Sequence, residues 1–145
     1  MEKKYVFRNF EDAPAYEVAH CESGEGVIWN VTLFGDEAKM PVVGARNPEA
    51  HNNIHYVHRT TLPPGVSVGE HPHEGNEQFY LIVEGEGEVT LCGETFAVKP
   101  WSIALIRSGG SHGIRNTGEK PLVYLCVEAG LAQAGHNEMK GEAND

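Results

Sequence analysis

The chain has 145 residues and a mass of 15.9 kDa, which suits one domain around one core and is short for two. With 40% hydrophobic and 22% charged residues it has the composition of a globular protein and lies well away from the disordered class. Its 21 acidic residues against 11 basic ones give a net charge of -10, which repels nucleic-acid phosphates and anionic membrane surfaces and excludes both as expected partners.

Residues 1–25 hold one short apolar piece, Tyr5-Val6-Phe7, placed to pair as an edge strand or to reach a partner subunit. The opening MEKKYVFRNFEDAP lacks the apolar core of a secretory signal, and no apolar run approaches the roughly 20 residues that span a bilayer, so a cytoplasmic location is expected. Strand signals then dominate. Runs rich in Val, Ile, Thr, Tyr and Phe recur over 26–34, 54–62, 78–84, 87–92, 95–98, 103–106 and 122–128. Turn residues separate them at Pro63-Pro64-Gly65, Glu84-Gly85-Glu86-Gly87, Cys92-Gly93-Glu94 and Asn116-Thr117-Gly118-Glu119. No segment keeps a 3.6-residue apolar period beyond a turn or two, so the expectation is an all-β sandwich or small barrel. Residues 35–53 are polar and proline-broken and read as a surface loop or lid. One domain over 1–130 is followed by a small, polar tail, 131–145, expected to be mobile. Cys21, Cys92 and Cys126 are odd in number and widely spaced, which suits reduced structural thiols.

The stretch His71-Pro72-His73-Glu74-Gly75-Asn76-Glu77-Gln78 carries the chemistry. Side chains alternate faces along a strand, so His71 and His73 project to one side and can share an ion. A third imidazole, His112, follows Gly109-Gly110-Ser111, where a turn can aim it into the same barrel. Imidazole suits Mn, Fe, Co, Ni, Cu and Zn; an added carboxylate or amide oxygen biases the choice to Mn or Fe and away from a closed structural zinc site. The plain alternative is surface or capping histidines, in a chain with eight of them.

Gly65, five residues, His71-Pro72-His73, four residues, Gln78, six residues and Gly85 together resemble the first motif of the cupin superfamily, with Gln78 where the pattern has Glu. Arg107-Ser108-Gly109-Gly110-Ser111-His112, three residues and Asn116 resemble the second, with Arg107 in place of a proline and Trp101 in place of a turn glycine. The resemblance spans about residues 55–128 and implies a small single-domain cupin: an antiparallel double-stranded β-helix, or jelly roll, with a divalent metal (Mn, Fe, Ni or Zn, the first two favoured) held by His71, His73, Gln78 and His112. It also implies a homodimer built by sheet-to-sheet packing and exchange of an N-terminal strand. The six-residue distance to Gly85 favours Gln78 over Glu77 as the fourth ligand, whereas apolar alternation leaves both open: Glu77 shares a face with Phe79, Leu81 and Val83, Gln78 with Tyr80 and Ile82.

Three imidazoles and an amide leave the full charge of a divalent ion on the site, which favours an anionic ligand such as a carboxylate or enolate. Tyr80 and Glu77 are the candidates for proton transfer, Arg107 and His58 for contact with substrate. The expected activity is that of a metalloenzyme on a small polar or anionic metabolite: an oxygenase with iron, or an isomerase, lyase or decarboxylase with Mn, Ni or Zn as Lewis acid. The alternatives are a sugar- or metabolite-sensing cupin without turnover and a storage-like cupin that has lost its metal.

Overall fold

A computed structural model describes residues 4–35 and 54–130. Among these are ten strands: β1 (Ala15–Ala19), β2 (Val27–Phe34), β3 (Ile54–Leu62), β4 (Ser67–Pro72), β5 (Asn76–Glu84), β6 (Gly87–Leu91), β7 (Glu94–Val98), β8 (Ile103–Ile106), β9 (Ser111–Arg115) and β10 (Leu122–Gly130). They form a six-stranded sheet in the order β1-β2-β3-β10-β5-β8 and a four-stranded sheet in the order β4-β9-β6-β7, with every recorded pairing antiparallel. The all-β, double-stranded β-helix expectation holds. No helix among the described residues is long and apolar enough to cross a membrane.

The core lies between the sheets. Leu62, Tyr80, Ile82 and Leu122 from the larger sheet meet Val89 and Ile114 from the smaller. Burying side chains of this size is worth roughly 1.5–3 kcal/mol each. Strand β5 shows how the alternation is used. Gln78, Tyr80 and Ile82 are buried toward the lumen, while Phe79, Leu81 and Val83 form a half-buried outer face.

Turn chemistry fixes the registers. The β6–β7 hairpin turns on Cys92 (φ 48°) and Gly93 (φ 82°), two left-handed residues as a type I′ turn requires. Before β8, Trp101 is itself left-handed at φ 71°, donates its N–H to the Ile82 carbonyl at 2.8 Å, and leaves its ring 73% exposed. The buried Asn116 donates Nδ2 to the Leu62 and Lys120 carbonyls, each at 2.8 Å, and accepts from Gly118 N–H, so this motif residue ties the turn before β10.

Two local expectations differ from the structure, and two more fall on residues it does not describe. Tyr5-Val6-Phe7 forms no strand and is exposed; the edge strand is β1, ten residues on. β4 and β9 fall outside the apolar runs read as strands, yet β9 lies inside the smaller sheet between β6 and β4, and β4, which carries His71, forms its edge. The loop expected over 35–53, apart from Gly35, and the tail over 131–145 lie outside the described residues.

Candidate metal centre

His71 and His112 are register partners on β4 and β9, and His73 follows directly after β4. His73 is pinned by its backbone: its N–H donates to Gly110 O at 2.9 Å and its carbonyl accepts from Gly109 N–H at 2.7 Å. The glycine pair before β9 thus brings the turn against the end of β4. One ligating atom from each of the three rings lies within 4.8 Å of the other two. The centroids stand 4.7 to 5.0 Å apart with tilted or edge-on planes, so that no pair stacks.

The ring nitrogens have assignable roles. His71 Nδ1 contacts the Gly69 carbonyl at 2.7 Å and must donate, which leaves Nε2 a bare lone pair. His73 Nδ1 donates to Asn76 Oδ1 at 2.6 Å, with the same result. Such anchoring of the remote nitrogen is what orients a ligating imidazole. Gly69 can be nothing larger, because a Cβ there would run into the Glu22 carbonyl. On His112, Nε2 lies 3.0 Å from His73 Nε2 and 3.1 Å from the Tyr80 hydroxyl, while Nδ1 is buried without a partner among the described residues. Burial first, then the neighbouring His71 and His73, lower the His112 pKa to about 3, so the ring is neutral.

These residues fit a divalent ion. Two nitrogens at 2.0–2.1 Å from one ion and at right angles to each other are about 3 Å apart, matching the separation of the His73 and His112 Nε2 atoms. Crowded neutral imidazoles with inward lone pairs repel one another unless a proton or a cation stands between them.

The other candidates fall in different places. Gln78 is 4% exposed and faces the lumen; its Nε2 donates to the Tyr56 hydroxyl at 2.6 Å and lies 3.5 Å from Glu128 Oε1. With the amide nitrogen turned to these oxygens, the amide oxygen is left for another neighbour. Glu77 sits on the opposite face of β5, outside the imidazole group. Tyr80 is 2% exposed and stacks on His112 with centroids 4.4 Å apart; burial raises its pKa well above 10, so it remains a phenol. Arg107 is exposed in the turn after β8, where its carbonyl accepts from Gly110 N–H. His58 points inward from β3, stacked on Tyr56 at 4.1 Å with Nδ1 on Asn30 Nδ2 at 3.0 Å, and burial lowers its pKa to about 4.

Sequence reasoning missed Glu128. It is 1% exposed, with Oε2 on His55 Nδ1 at 2.9 Å and Oε1 3.4 Å from the Tyr56 hydroxyl and 3.8 Å from His73 Nδ1. Its signal was present: Glu128 continues the inward phase of Leu122, Tyr124 and Cys126, and a carboxyl group on the buried face of an apolar strand is uncommon. Tyr56 and Asn30, which complete the polar lining, sit inside apolar strands and gave no comparable sign.

The cupin domain profile matches residues 58–128. The chain is 34% identical over 122 residues to an oxalate-binding protein of Thermotoga maritima, covering 84% of this chain and 91% of that one. It superposes on the crystal structure of a predicted oxalate decarboxylase from the same organism with a TM-score of 0.74 and 30% identity, over 87% of this chain and 100% of that one. A shorter match, 36% over 71 residues, joins it to the 5-nitrosalicylic acid 1,2-dioxygenase of a Bradyrhizobium species, covering 48% of this chain and 34% of that enzyme. The motifs, the double-stranded β-helix and these similarities together establish that the chain belongs to the cupin family.

Proposed function

We propose that the protein is a metal-dependent cupin that binds a small carboxylic acid at a divalent ion and acts on it. His71, His73 and His112 hold the ion through Nε2, and Gln78 completes the set through its amide oxygen, with Mn or Fe as the metal. The observation that carries this reading is the convergence of three imidazoles, two with Nδ1 committed to acceptors, so that Nε2 is the nitrogen each presents to its neighbours. A bound divalent ion would supply Lewis acidity and, with four uncharged ligands, an attraction for anions. The oxalate-binding relative supports a small acid as ligand.

The chain's own groups then have distinct tasks. The Tyr80 hydroxyl, beside His112 and held as a phenol, is the proton donor to a bound acid. Glu128, not the outward Glu77, is the carboxyl group within the lumen; by accepting from Tyr56 and facing the Gln78 amide nitrogen, it orients Gln78. Arg107, exposed in the turn after β8, is the candidate for contact with the ligand's outer end. A homodimer formed by the apolar outer face of Phe79, Leu81, Ile103 and Leu105 fits the exposure of that face. Three free thiols agree with a cytoplasmic setting.

The test is elemental analysis of protein purified without added metal, followed by calorimetric titration with oxalate. One Mn or Fe per chain, lost in His71→Ala and His112→Ala, and oxalate binding only in the loaded protein are expected. Absence of metal after loading, or oxalate affinity that survives a chelator, defeats the reading. Product analysis with loaded Tyr80→Phe separates an enzyme from a binding protein, because only turnover requires a proton donor.

A further inference from the structure

The strand registers line up inward residues in rows across the six-stranded sheet. One row runs from Tyr80 on β5 through Cys126 on β10 and His58 on β3 to Thr32 on β2. Its first member touches the metal centre at His112. Its far end holds two buried polar atoms with no partner among the described residues, His58 Nε2 and Thr32 Oγ1. Buried polar atoms are nearly always matched by protein, water or ligand, so an adjacent pair left open marks a place made for something else.

Hydrogen bonding assigns what that place offers. Thr60 Oγ1 donates to Asn30 Oδ1 at 2.5 Å, which turns Asn30 Nδ2 toward the Tyr16 hydroxyl at 2.9 Å and His58 Nδ1 at 3.0 Å. His58 Nδ1 therefore accepts, and the neutral ring carries its hydrogen on Nε2. Burial holds the ring neutral, with a pKa of about 4. Thr32, 2% exposed and the direct register partner of His58, supplies the second hydrogen left without a partner among the described residues. Two adjacent uncharged donors select an acceptor oxygen.

Distance then limits the ligand. Tyr80 and His58 are separated by β10, and two strand spacings place their backbones about 10 Å apart. A two-carbon diacid held at the imidazoles is too short to reach the far pair. We propose that His58 Nε2–H and Thr32 Oγ–H form a second subsite that holds the distal carboxylate or carbonyl oxygen of the metal-bound acid, so that the ligand is an extended diacid or oxo acid. This rests on the reading of His71, His73 and His112 as the metal centre.

The experiment uses protein loaded with Mn(II), its stoichiometry checked by elemental analysis, and titrates it with straight-chain diacids from oxalate to adipate and with monoacids of equal length. The expected result is tightest binding at an intermediate chain length, about 10-fold or more above the matching monoacid. Thr32→Val and His58→Phe should each lose about 10-fold for that diacid, the worth of one hydrogen bond, while keeping Mn(II) and monoacid affinity. Metal-free Thr32→Val should also unfold at a higher temperature than the wild type, since it removes a buried hydroxyl without a partner; lower affinity in a more stable protein rules out a loosened fold as the cause. Affinity falling steadily from oxalate upward, with both variants unchanged, overturns the subsite and leaves the metal reading standing. Failure to hold either Mn(II) or Fe(II) overturns both.

Discussion

His58 makes the fold sensitive to acid by an amount that its surroundings set. The ring is stacked on Tyr56, and burial lowers its pKa from 6.5 to about 4. In the unfolded chain the imidazole takes a proton as pH falls through 6.5; in the folded chain it does so only near 4. Between these values the unfolded state binds one more proton, so stability is present in full above 6.5 and falls as the pH falls, by roughly 1.4 kcal/mol per unit. Over the whole window of about 2.5 units this amounts to on the order of 3 kcal/mol, a large part of the 5–15 kcal/mol that typically holds a domain together. His112 acts in the same direction in metal-free protein, so His58 is isolated by comparison with a variant. Urea unfolding in the presence of a chelator, at pH 7.5 and pH 4.5, should show the stability difference between wild type and His58→Gln shifting against the wild type by about 2–3 kcal/mol at the lower pH. Parallel pH dependences would refute the argument, because they would mean that His58 titrates as freely in the folded chain as in the unfolded one.

Replacing Gln78 by Ala should weaken Mn(II) affinity by more than the roughly 10–100-fold that a supporting residue costs, and Glu77→Ala should leave it nearly unchanged; chelator competition measures both, and the reverse order would move the ligand to Glu77. Trp101→Gly should raise the thermal midpoint by about 2–4 °C, since a left-handed non-glycine residue costs roughly 1–2 kcal/mol, less the chain entropy that glycine adds, and the exposed ring gives up little burial. A lower midpoint would show that the ring is covered in the assembled protein. Leu105→Lys, on the exposed outer face of β8, should convert a dimer to monomers in sedimentation analysis, and a monomeric wild type would remove the dimer reading.

How much of this was legible in the sequence differed sharply between core and site. Strands over 54–62 and 103–106 agree with β3 and β8 to the residue, because apolar alternation reports burial directly. The pattern failed at β4 and β9 for a physical reason: Ser67–Pro72 and Ser111–Arg115 line a polar lumen, so the site erased the periodicity that would have announced its own strands. Pro72 weakened the first further, since proline cannot donate to a ladder. The facing of Gln78 was illegible because both sides of β5 are apolar, one toward the core and one on the outer face. Glu128 stood at the expected end of its strand, whereas β10 continues to Gly130 and buries it.

The register pairing of His71 with His112 joins residues 41 positions apart, 112 less 71, on two strands with β5 to β8 between them in the chain. The chelating set therefore cannot exist in an early, locally ordered chain, because closing so long a loop is costly until other contacts reward it. Refolding rates measured with and without Mn(II) should coincide, while unfolding slows when the ion is present. Under the proposed metal reading the ion would be captured by a finished barrel, and the choice among competing ions would rest with the rigidity of Gly69 and Asn76 around the imidazoles, not with whichever ion the nascent chain meets first.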